Sequence, residues 1–173
     1  MKGTILKCLE EMVKTNYGHQ VWEECLKASN LPVFHMFSIT EDINEKLSID
    51  LFVRTAGVVK KTVPEIFDEF GIHWSCVYAP RIYAAFYKGT QSTKEMVLKL
   101  DSIHNFMTQS IANARPPRFQ YEWLNERELR LRYNSQRGLI DLFISLLKGL
   151  DQHYSCNTKI DKRSEEELVL VFD

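Results

Sequence analysis

RPPRFQYEWLNERELRLRYNSQRGL, residues 115–139, holds the change of period on which the fold turns. Before it, apolar residues recur every three or four positions. Over 92–112 the chain sets Met96, Leu100, Ile103, Met107 and Ile111 along one helical stripe, with Ser92 and Glu95 at capping-box spacing. Pro116-Pro117 ends that helix, since proline brings no amide hydrogen and biases its predecessor towards extended backbone. Beyond the prolines, Phe119 to Trp123 and Glu128 to Tyr133 read as two strands, with LNER as their turn. Successive side chains of an extended chain point to opposite faces, so Leu129, Leu131, Tyr133, Ser135 and Arg137 fall on one side. That side begins apolar and continues as a phenol, a hydroxyl and a guanidinium. A guanidinium is costly to bury alone and calls for a carboxylate or phosphate, to which the two hydroxyls can also donate. Either an Asp or Glu elsewhere satisfies Arg137, or a bound diacid uses the whole row; otherwise the row lies on an edge strand and reaches water.

Working outward, the N-terminal side is helical. Residues 3–15 carry Ile5, Leu6, Leu9, Met12 and Val13 on one stripe, and GHQVWEECLKA forms a second short helix before SNLP breaks the chain. Further helices fit 44–58 and 63–78, the latter opened by Thr62 and Pro64. Gly71 inside that pattern weakens it locally or marks a close contact or bend. APRIYAAFYKG reads as one shorter helical piece. On the C-terminal side, GLIDLFISLLKGL is apolar around most of its circumference and predicts a helix buried against a sheet. A third strand at about 153–160 and a last at 167–172, joined by DKRSEE, complete an antiparallel sheet. The expected architecture is α+β: a helical lobe over about 1–62 and an α/β lobe over about 63–173, within one domain.

The 173 residues are 45 % hydrophobic and 26 % charged, enough to bury a sizeable core. A formal net charge of -1 argues against nucleic acid, which leaves a basic footprint on its binders. No apolar run reaches transmembrane length, and Glu10 and Glu11 interrupt the first apolar stretch, so neither a membrane anchor nor a signal peptide is expected. The expectation is a cytoplasmic protein. Cys8, Cys25, Cys76 and Cys156 form no CxxC pair, and Cys8 has the spacing of a core thiol. No nucleophile–base pair, Walker loop or dinucleotide fingerprint is present, so an enzyme is not expected.

His104 sits on or beside the buried stripe of residues 92–112. It is either a neutral core histidine satisfied by one hydrogen bond or an imidazole ligand presented into an apolar pocket. A single histidine can hold a haem iron, whereas tetrahedral zinc needs three or four protein ligands. Haem also carries two propionates, which would match Tyr133, Ser135 and Arg137 beyond an apolar pocket. Locally, the segment does not separate haem from no metal at all.

Taken together, MKGTILKCLEEMV, YGHQVWEECL, LDSIHNF, PPRF and YNSQRGL resemble the haem-binding nitric oxide and oxygen sensor domains called H-NOX, which include the sensory domain of the soluble guanylate cyclase beta subunit. The resemblance covers nearly the whole chain. It implies a four-stranded antiparallel sheet, haem b as cofactor, His104 as proximal iron ligand, and Tyr133, Ser135 and Arg137 as the clamp on the propionates. It implies that Pro117 packs on and distorts the porphyrin, and that Ile5, Leu9, Trp74, Tyr78 and Leu142 build the distal side. Relatives that hold dioxygen carry a tyrosine five residues beyond the clamp arginine; Leu142 stands there in this chain, with Tyr78 as a counterweight. Charge accumulates on bound dioxygen, which therefore gains from a donor that nitric oxide and carbon monoxide need less.

The resemblance therefore implies a sensor of nitric oxide, and of carbon monoxide, that excludes dioxygen and signals through a partner. In the family, nitric oxide breaks the link to the proximal histidine and biases a two-state switch. The alternatives are a haemless interaction module of the same fold and a dioxygen-binding member. The sequence stops just after its last strand without a kinase, cyclase or methyl-accepting segment, so output is expected in trans, to a histidine kinase or a cyclic-dinucleotide enzyme as is common in the bacterial family.

Overall fold

Caps place the helices. In a computed structural model describing residues 1–173, the Asn44 side chain accepts from the Lys46 and Leu47 amides and starts α3 (Glu45–Val59). Thr62 and Glu65 form a reciprocal capping box that starts α4 (Val63–His73). Ser92 Oγ accepts the Glu95 amide at 3.2 Å and starts α7 (Thr93–Ser110). Before these come α1 (Gly3–Tyr17) and α2 (His19–Ala28), separated only by Gly18. The helix expected over 63–78 changes form at Trp74: residues Trp74–Tyr78 make an i→i+5 turn, closed by the Ala79 amide on Trp74 O. APRIYAAFYKG is two short turns, α5 (Ala79–Ile82) and α6 (Ala84–Tyr87), broken at Tyr83.

Strands β1 (Arg118–Trp123) and β2 (Glu128–Asn134) pair antiparallel, with Phe119 opposite Tyr133 and Tyr121 opposite Leu131. The sheet order is β1-β2-β4-β3, with β3 at Lys159–Lys162 and β4 at Glu167–Val171, all neighbours antiparallel. The third strand therefore starts later than 153–160 predicts. Helix α8 (Ile140–Tyr154) runs into that range and ends at Ser155, whose φ of 55° reverses the chain. Asp151 then ties the exit down: its carboxylate accepts the Thr158 amide at 2.8 Å and the Thr158 hydroxyl at 2.7 Å.

Two apolar cores result. The first joins α1, α2, α3, α4 and the π turn around Leu6, Leu9, Met12, Leu51, Phe70 and Tyr78. The second lies between the sheet and α7 and α8, around Val97, Phe119, Leu131, Phe143 and Leu168. Helix α8 serves both, because α4 crosses it with almost no space between backbones. A Cβ on Gly71 would stand 2.0 Å from Ser145 O, and one on Gly149 would stand 2.1 Å from Gly71 O. Gly71 thus marks a close contact. Polar links fasten the crossing: Ser145 Oγ donates to Asp68 at 2.6 Å, Lys148 pairs with Asp68 at 2.8 Å, and Ser75 Oγ donates to Leu146 O at 3.1 Å. No helix is long and apolar enough to cross a membrane.

Candidate cofactor site

Between the two cores lies a largely apolar cavity of about 360 Å³. One wall is made by Thr4 and Ile5 of α1, Phe70 and Trp74 of α4 and its π turn, and Leu142 and Leu146 of α8. The other is made by Leu100, Ile103, His104 and Met107 of α7, with Ile111, Pro116 and Pro117 following it. Ser135, Arg137 and Arg115 stand at the polar end, with Tyr133 beside them.

His104 is held in one orientation. Its Nδ1 lies 2.7 Å from the Pro117 carbonyl. A carbonyl can only accept, so Nδ1 carries the proton and Nε2 is left with a bare lone pair. Burial lowers the imidazole pKa against the opposing pull of the Pro117 carbonyl and the Asp101 carboxylate, so the neutral form is favoured. Histidines that bind metals commonly donate their second ring nitrogen to a carbonyl in this way. Helix α7 is pinned beside this residue. Asp101 accepts from Arg118 Nε at 2.8 Å and Nη2 at 2.7 Å, and from the Phe119 amide at 2.9 Å. The Arg118 bond chiefly holds the Asp101 carboxyl down at about 2.

The phenol, hydroxyl and guanidinium do come together, although not along one strand. Strand β2 stops at Asn134, and Ser135–Gly138 turn back, closed by Gly138 with φ 60° and by Ser135 Oγ accepting the Arg137 amide at 3.3 Å. The ladder therefore ends at Asn134, but the alternation of faces continues through the turn: Ser135 and Arg137 are half-buried and line the cavity with Tyr133, while Asn134 and Gln136 are exposed. A hydroxyl two residues before an amide can cap that amide, which competes with continuing the ladder. Tyr133 is buried in an aromatic stack with Phe119 and Phe143, and burial raises its pKa.

Arg137 donates through Nη1 to Arg115 O and faces Glu45, with Nε 2.8 Å from Oε1. The Nε–H does not point at that carboxylate. This buried nitrogen makes no hydrogen bond. Arg137 thus has a carboxylate partner in Glu45, and its poorly aimed Nε–H beside Ser135 leaves a donor that a cofactor carboxylate could also engage. With a neutral imidazole lone pair and apolar walls, the donor set fits haem. No group of three or more His, Cys, Asp or Glu side chains could hold a metal ion.

Of the residues singled out in the sequence, Ile5, Trp74, His104, Pro117, Tyr133, Ser135, Arg137 and Leu142 line the cavity. Leu9 does not; it is fully buried in the first core. Tyr78 does not either. The wide π turn carries it behind Trp74, ring to ring at 5.6 Å, where its hydroxyl accepts from Thr4 at 3.4 Å and Arg81 covers its face. Tyr83, Thr4 and Glu45 escaped the sequence reading. Tyr83 was hidden because APRIYAAFYKG looks like one helix, whereas the break that turns this side chain inward depends on tertiary packing.

The fold and these donors agree with what the comparisons find. Residues 2–162 match the family described as haem-NO-binding, and the chain belongs to that family, the H-NOX domains. An oxygen-binding H-NOX domain related to soluble guanylate cyclases, solved as its oxygen complex, is similar with a TM-score of 0.84 at 21 % identity, covering 100 % of this chain and 95 % of that one. A variant of the T. tengcongensis H-NOX domain gives 0.86 at 20 % identity, over 100 % and 98 %. A Cs H-NOX carrying 4-cyano-L-phenylalanine gives 0.87 at 20 %, over 100 % and 97 %. At these identities the structures speak for the fold, and the family match supports gas sensing in general.

Proposed function

We propose that this chain is a haem-based sensor of nitric oxide, and of carbon monoxide, that signals to a separate protein and catalyses no reaction itself. The observation that carries the reading is the His104 side chain: protonated at Nδ1 by necessity, bare at Nε2, and lining an apolar cavity that Arg137, paired with Glu45, also lines. Haem b bound there would supply a ferrous centre able to take a diatomic gas. His104 would ligate the iron, Tyr133, Ser135 and Arg137 would receive the propionates, and Pro117 would press on the ring. The lobes would be about 1–62 and 63–173, in a cytoplasmic protein.

The chain's own contacts suggest how a change at His104 could travel. The imidazole is tied to the Pro117 carbonyl and its helix to β1 through Asp101, so strain or release at Nε2 acts on α7 and the sheet edge together. Arg137 faces Glu45 of the first lobe, so a change in what Arg137 holds also acts across the cavity. A ligand that alters both attachments favours one of two arrangements, which a histidine kinase or cyclic-dinucleotide enzyme would read. Titrating the protein with haem tests this: one equivalent per chain should give a Soret band, and His104→Gly should change the ligation and recover it with imidazole. A protein that stays colourless would leave the haemless interaction module instead.

A further inference from the structure

Six of the twelve large apolar side chains that the fold leaves exposed fall between residues 33 and 53, away from the second lobe. Val33, Phe34, Met36 and Ile39 lie on the loop that leads into α3, and Ile49 and Val53 lie on α3 itself, 38 % and 46 % exposed. Single exposed apolar residues need no explanation, but a concentration of them marks a contact surface. On α3 the two continue into Gly57 at four-residue spacing. Ile49, Val53 and Gly57 therefore form one ridge, on the face opposite the buried Leu51, Phe52 and Ala56.

Nothing inside the chain asks for glycine at position 57. Gly71 and Gly149 have backbone standing against them, whereas a Cβ on Gly57 would meet nothing within 4 Å. Its φ is not left-handed either. A glycine within a helix weakens it. What it leaves here is a notch on an exposed face, in line with two apolar side chains.

Helical spacing puts Asp50 and Arg54 together on one flank of the ridge, paired at 3.2 Å with side chains 36 % and 52 % exposed. An exposed pair of this kind contributes little by itself, so both groups are available to a neighbour. Mixed signs do not suit an anionic membrane surface, which calls for lysine and arginine alone. They suit the same face on a second copy. A two-fold axis at the level of residue 52 sets two α3 helices antiparallel and puts like flanks side by side. Asp50 of one protomer then meets the partner's Arg54, and Arg54 meets the partner's Asp50. Along the seam Ile49 and Val53 interleave with the same ridge of the partner, and each Gly57 leaves room for the close approach.

We propose that the Ile49–Val53–Gly57 ridge of α3 is a self-association surface, on which a second copy of this chain docks antiparallel through reciprocal Asp50–Arg54 pairs. One helix face falls short of the roughly 800 Å² per partner that stable dimers bury, so the dimer is weak and forms as concentration rises.

Sedimentation velocity of the purified, haem-supplied protein over a concentration series reads this: the mass should rise from 20.3 kDa towards twice that value. Asp50→Arg and Arg54→Asp each set like charges against one another across the seam and should weaken association by about tenfold or more. The double variant should restore it. So should an equal mixture of the two single variants, in which each protomer supplies the charge that its partner lacks. Mixing restores no pair within either helix, so recovery there reports contact between copies alone. Gly57→Leu should weaken association without lowering Tm, since a Cβ there has open space in its own chain. A parent that stays monomeric throughout the series overturns the proposal. So do charge variants that associate as the parent does, or association lost only on Phe34→Ser, which would move the contact to the loop.

Discussion

Adding one methyl group at the α4–α8 crossing should destabilise this protein. In Gly71→Ala the new Cβ would sit 2.0 Å from Ser145 O and 2.3 Å from its carbonyl carbon. Both are backbone atoms and cannot rotate away. Restoring ordinary contact at 3.4 Å means parting the helices by about 1.4 Å, against the Ser145–Asp68 and Ser75–Leu146 bonds that lock them. Overpacking costs about 1–3 kcal/mol, and a rigid backbone clash belongs at the upper end. Alanine returns about 1 kcal/mol of helix propensity, leaving a net loss of about 2 kcal/mol. In a chain of this length that lowers Tm by about 4–8 °C. Gly149→Ala should do the same, since its Cβ would meet Gly71 O at 2.1 Å. Gly57→Ala, in α3 with nothing within 4 Å, should instead raise stability by about 0.5–1 kcal/mol. Thermal and urea unfolding of the three variants decides it. A Gly71→Ala protein as stable as the parent would mean that the crossing is not close, and with it the cavity wall built on that crossing would be wrong.

Arg137→Ala removes a charge-assisted partner and should speed haem transfer to a strong acceptor more than Ser135→Ala does; equal rates in both variants and the parent would place Arg137 outside the site. Glu45→Gln removes the carboxylate that competes for Arg137 and should slow that transfer, read in the same assay. The Asp101 carboxyl is depressed to about 2, chiefly by its Arg118 bond. Its contribution is therefore present above the unfolded value near 3.9 and is lost as pH falls towards 2. Acid unfolding followed by circular dichroism should show Asp101→Asn losing stability relative to the parent above about pH 4, with the gap closing towards pH 2.

Local chemistry made most elements legible. Thr62, Ser92 and the prolines act within a turn of themselves, so their helix boundaries could be read directly, and the two-residue period after Pro117 gave β1 and β2. Gly71 was visible as an anomaly whose resolution needed the partner helix. What could not be read depends on contacts distant in sequence or on competing local bonds. Ser155 in a left-handed conformation and Asp151 capping Thr158 displaced the third strand. The π turn displaced Tyr78, and β2 ended at Asn134, where Ser135 Oγ accepts the Arg137 amide, although the alternation of faces runs on to Arg137. The site's donor types were legible from the sequence, but their pairing was not: nothing in the order of residues says that Arg137 faces Glu45, or that Thr4 donates to Tyr78.

The central claim is that His104 holds a gas-responsive haem whose state α7 transmits. The direct measurement adds nitric oxide anaerobically to the reduced, haem-loaded protein, following the Soret band together with amide hydrogen exchange in α7 and β1. The account predicts a shifted Soret band and, in the same sample, altered exchange around His104 and Phe119; when His104→Gly carries imidazole in place of the tethered side chain, the spectral shift remains and the change in exchange is abolished. A Soret shift in the parent with no change in exchange along α7 would contradict it.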